Sequence, residues 1–73
     1  MKQTGYEIRI QDHLGDSWTD WFEGLTIRDE VDEHGHFMQT VLSGTMDQAA
    51  LHGILMRIRD LGLTLITVSR TTE

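Results

Sequence analysis

Residues 12–24 read DHLGDSWTDWFEG, and whether this stretch coils or loops decides what the strands around it can build. Asp16 or Ser17 can accept from the free amides of a helix start, Trp18, Trp21 and Phe22 recur at i, i+3 and i+4, and Gly24 supplies a stop. The spacing predicts a short helix of about two turns. Before it, YEIRIQ (6–11) sets Tyr6, Ile8 and Ile10 on one face and Glu7, Arg9 and Gln11 on the other, the alternation of a half-buried strand. After it, LTIRDEV (25–31) alternates again, with Asp29 breaking the apolar row of Leu25, Ile27 and Val31. DEHG (32–35) carries turn chemistry and HFMQTVLSG (36–44) is rich in strand formers, so the two runs read as a hairpin.

From Asp47 the period changes. DQAALHGILMRIRDLG (47–62) aligns Ala50, Leu51, Ile54, Leu55, Ile58 and Leu61 on one helical stripe. Asp47 stands at the N-cap, Arg57 and Arg59 at the negative end of the helix dipole, and Gly62 past the last turn. LTLITVSR (63–70) is apolar on both faces, which predicts a strand buried on both sides or covered by a second subunit. The order is β-α-β-β-α-β. It predicts a single α+β domain over residues 1–73 with a ferredoxin-like fold: a four-stranded antiparallel sheet in the order 4-1-3-2, with two helices on one face, the first of them short.

A chain of 73 residues buries only roughly 60% of the surface its unfolded form exposes. Chains this small commonly gain stability from disulfides, a metal or oligomerisation, and with no cysteine the first is excluded. The missing cysteines, the lack of a signal-like opening and the lack of any apolar run near membrane-spanning length set the expectation of a soluble, cytoplasmic protein. Net charge is −6, and eight of the twelve acids lie between Asp12 and Glu33, where Arg28 is the only base. Nucleic-acid affinity comes from clustered Lys and Arg that release counterions, so nucleic acid is not an expected partner.

In the expected fold, the strand faces away from the helices are uncovered. Glu7, Arg9, Gln11, Thr26, Arg28 and Glu30 can stay wet there, whereas the third and fourth strands expose apolar groups whichever way they face. An apolar patch rimmed by polar residues marks an association surface. The expected partner is a second copy of the chain, met through the sheet face or a sheet edge. RNA-binding modules of this fold stack bases on aromatic residues of their central strands, and Glu7, Arg9 and Gln11 cannot do that.

The candidate sites are three. His34 and His36, behind Asp32 and Glu33, are metal-ligand types, yet Gly35 in a turn would throw the two imidazoles apart, so the expectation is a solvated hairpin tip without metal. Trp18 and Trp21 either pack the core or line a pocket for a small cationic or aromatic ligand. His52, beside the apolar stripe of the second helix, is a boundary residue or, paired with His13 or an acid, a general base at the helix–sheet edge. No nucleophile lies near His52 in sequence, and a hydrolytic triad has no support.

YEIRIQDHLGDSWTDWFEGLTI (6–27) and DQAALHGILMRIRDLGLTLITV (47–68) resemble a group of short bacterial proteins with a Tyr-Glu-Ile-Arg opening, a Trp-x-x-Trp-Phe-x-Gly-Leu segment and an Asp-Gln-Ala-Ala-Leu-His-Gly helix start. The resemblance covers most of the chain. It implies a compact bacterial domain and carries over no catalytic residue, cofactor or metal. In that group the hairpin tip is usually a shorter Asp-Gly type, so His34 and His36 depart from the shared pattern. The leading expectation is a non-enzymatic dimeric module that binds a protein or a small ligand through Trp18, Trp21, His52 and His13. The alternative is a small cofactor-free enzyme of dimeric α+β type acting on an aromatic small molecule, which would need a cavity of about 300 Å³ or more inside a small core.

Overall fold

The computed structural model describes residues 4–15, 22 and 24–71. Four strands, β1 (Thr4–Ile10), β2 (Thr26–Val31), β3 (Phe37–Met46) and β4 (Leu65–Arg70), form one sheet, and α1 (Gln48–Asp60) packs on it. Their order across the sheet is β2-β3-β1-β4, and each neighbouring pair is antiparallel. This is the expected 4-1-3-2 order.

The ferredoxin-like βαββαβ fold with two helices is corrected. Among the described residues there is one helix, and the element order is β-β-β-α-β. The short helix expected around Trp18, Trp21 and Phe22 falls on residues 16–23, of which only Phe22 lies within the described residues. What surrounds it is loop chemistry. Gln11 N donates to Thr64 O at 2.9 Å, and Leu25 N donates to Phe22 O at 3.1 Å across Gly24, whose φ of 87° only glycine adopts freely. Asp12 ties the same connection to both flanks: its carboxylate accepts from Thr64 N at 2.6 Å and its carbonyl accepts from the Thr40 hydroxyl at 2.8 Å. Leu14 and Phe22 are buried, so this connection reaches the core through individual side chains.

The core lies between the sheet and α1. Tyr6, Ile8 and Ile10 from β1, Leu42 and Met46 from β3, Leu51 and Ile58 from α1, and Leu14 and Phe22 from the connection between β1 and β2 form one buried cluster. Every apolar position expected on the inner face of β1 is there, and the polar tip of Tyr6 is satisfied by Gln48 Nε2 at 3.2 Å. The helix is bounded as its sequence requires. Asp47 accepts from Ala50 N at 2.8 Å. At the other end Leu63 N donates to Ile58 O and Gly62 N to Arg59 O, both at 3.0 Å, with Gly62 at φ 74°. These are the paired bonds of a Schellman closure, which puts glycine in the left-handed region.

β4 departs from one expectation. Instead of being buried on both sides within the chain, all six of its residues are exposed and it forms an edge of the sheet. The two crossing layers give a flat body of 42 × 28 × 19 Å.

Candidate functional site

Two regions carry chemistry: the end of the sheet where α1 finishes, and the β4 edge. At the first, His13 Nε2 meets Asp29 Oδ2 at 3.0 Å, and the edge of one ring faces the other where His13 stands against Phe37, with centroids 5.0 Å apart and an interplanar angle of 84°. A bulge makes this contact. Phe37 and Met38 both fall opposite Val31, because the β2–β3 register slips by one residue after Glu30 pairs with Gln39. An extra residue reverses the alternation of a strand. Phe37 therefore leaves the face of Gln39 and Val41 and joins that of Val31 and Asp29, where His13 covers it. Asp29, the acid that interrupts the apolar row of its strand, is the signal by which His13's partner could have been found in the sequence.

The four residues expected to bind a ligand are not assembled by the described structure. Trp18 and Trp21 lie outside the described residues. His13 sits where α1 ends, since the neighbouring Asp12 binds Thr64, whereas His52 lies one turn from the helix start, near Gln48 and Tyr6. About nine residues of helix separate those ends, roughly 14 Å of rise. His52 is exposed. Among the described residues no group of three or more His, Cys, Asp or Glu side chains could hold a metal ion. At the hairpin tip Asp32 Oδ1 accepts from His34 N at 2.8 Å and from His36 N at 2.9 Å. Those amide bonds, the one from His36 first, hold the Asp32 carboxyl below its ordinary range, although partial desolvation opposes them.

The face away from α1 carries a polar network. Arg9 bridges Glu7 and Glu30 at 3.0 Å each, Arg28 reaches Glu30 at 3.1 Å, and Gln39 donates to Glu30 at 2.6 Å. The Gln39 bond, more than the arginines, draws the Glu30 carboxyl below its usual value. Among these groups Val41 is fully buried. The register sets Val41 between Arg9 and Arg28, whose aliphatic stems can cover it while their guanidinium groups stay wet.

The two sheet edges differ in kind. β2 places Arg28, Asp29 and Glu30 on its edge, the charges that protect an open strand from pairing. β4 has none of these protections before its last residue, Arg70. Leu65, Ile66 and Val68 lie there at 45, 46 and 38% exposure. Its partner strand β1 places Val68 across from Ile8 and Leu65 across from Ile10, both core residues, so this apolar row continues the core face out to the rim.

Among the described residues, a four-stranded antiparallel sheet with one α-helix, one charged edge and one apolar edge is the class these features define. The chain belongs to the family described as a domain of unknown function (DUF8691), whose profile matches residues 5–69. No curated protein and no solved structure matches it. Among the described residues no helix is long and apolar enough to cross a membrane.

Proposed function

We propose that this domain is a non-enzymatic association module that works as a homodimer. The observation that carries the reading is β4, an edge strand with every residue exposed and an apolar row on the core side. Monomeric proteins protect such edges or cover them, and among the described residues the protecting charges lie at β2. The chain length argues the same way, since a domain of 73 residues has little stability in reserve. Light scattering at tens of micromolar tests the proposal: a mass of twice 8.4 kDa is expected, and a monomer overturns it.

A further inference from the structure

Resting on that reading, we propose that the two copies join edge to edge, with β4 pairing antiparallel to β4 of the second copy about a two-fold axis at Val68, to make one continuous eight-stranded sheet from two four-stranded ones. The hydrogen-bond phase of β4 supports this register. Thr71 N donates to Gly5 O at 2.8 Å, and the β1–β4 register runs from there through Glu7 opposite Ser69 and Arg9 opposite Thr67. Antiparallel strands alternate bonded and non-bonded pairs. Ser69 and Thr67 thus turn their amides toward β1, and Val68 and Arg70 turn theirs away from the sheet. Val68 is the outward-pointing residue nearest the middle of the strand, and the β1–β4 register is regular from Thr67 to Arg70, shifting at Ile66 between the Arg9–Thr67 and Ile10–Leu65 pairs.

Chemistry selects the second copy as the occupant. With Val68 opposite the partner's Val68, Thr67 meets the partner's Ser69 and Ile66 meets the partner's Arg70, whose aliphatic stem can lie along it. The seam carries Arg70 as its one charged residue per strand, so a chain of net charge −6 brings no acids together there. Pairing β4 with β2 of another copy would set Leu65, Ile66 and Val68 against Arg28, Asp29 and Glu30, and would generate an open filament instead of a closed pair. Stacking the faces opposite α1 would bury the Glu7–Arg9–Glu30–Arg28 network, whose desolvation is expensive.

The test uses the full chain and three substitutions at one residue. Val68→Lys sets like charges across the axis and is expected to give a folded monomer where the parent is a dimer. Val68→Pro removes the outward amide and leaves the β1 bonds of Thr67 and Ser69 intact; it is also expected to be monomeric. Val68→Cys in this cysteine-free chain is expected to cross-link to a covalent dimer on mild oxidation or with a short bis-maleimide, while Glu33→Cys at the hairpin tip is not. If the parent is a dimer and Val68→Lys remains one, or if Val68→Cys fails to cross-link, the edge geometry is overturned and the association reading stands. A monomeric parent overturns both. Should the proline variant not fold, the lysine and cysteine variants decide alone.

Discussion

Asp32 shows how much one side chain can organise. Its carboxylate receives two amides of the hairpin tip, and Gly35, at φ 83°, supplies the left-handed residue that lets the chain reverse between them. The folded state thus holds this carboxyl below its unfolded value. A depressed carboxylate contributes stability that is complete above the unfolded pKa and lost as pH falls through the folded one. Asp32→Ala should accordingly lower the melting temperature at neutral pH, and the difference from the parent should shrink in the acid range and vanish below the folded pKa of Asp32; melts from pH 2 to 7 read this. In the sequence the two histidines draw the eye, but the acid before them and the glycine between them form the turn. At the core, Leu42 is fully buried beside Ile8 and Ile27. Leu42→Ala should cost about 2–5 kcal/mol in a urea titration, the usual range for a leucine cavity.

Among the elements, α1 was the most legible because its information is local. Cap, stripe and Schellman glycine all lie within the helix or next to it, and they act through bonds spanning a few residues. Asp47→Ala should lose about 1 kcal/mol by leaving the Ala50 amide without its acceptor. Gly53→Ala should act in the opposite sense. Gly53 stands inside the helix, and a β-carbon there meets no heavy atom within 4 Å. Removing its backbone freedom should raise stability by about 0.5–1 kcal/mol, measured by chemical denaturation. The stretch from Asp12 to Gly24 was less legible. The Trp-x-x-Trp-Phe spacing falls on residues outside the described ones except Phe22, and the connection's described anchors are Asp12 to Thr40 and Thr64, residues 28 and 52 positions away. No local pattern contains those partners. The β3 bulge was hidden for the same reason, since an inserted residue shows only when the opposing strand is in place.

For the whole molecule, the asymmetry between edges governs behaviour. A dimer adds a concentration term to stability, because whatever binds only the folded state shifts the unfolding equilibrium by mass action. The parent melting temperature should rise with protein concentration over the micromolar range, and that of Val68→Lys should stay constant; scanning calorimetry at several concentrations distinguishes them. Of the residues expected to bind a ligand, His13 found a partner in Asp29 and His52 remained at the other end of the helix, and no sequence distance could have shown that separation.

By itself the sequence determined the inner face of β1, the hairpin tip and the boundaries of α1, because period, capping and turn chemistry are local. Only the tertiary structure decided that β4 is a bare edge, that β2 is a charged one, that Phe37 crosses to the side of His13, and that Val41 is buried between Arg9 and Arg28 on the face away from α1. Each of those depends on which residue stands opposite another across the sheet, and hydrogen-bond register is a property of two strands together.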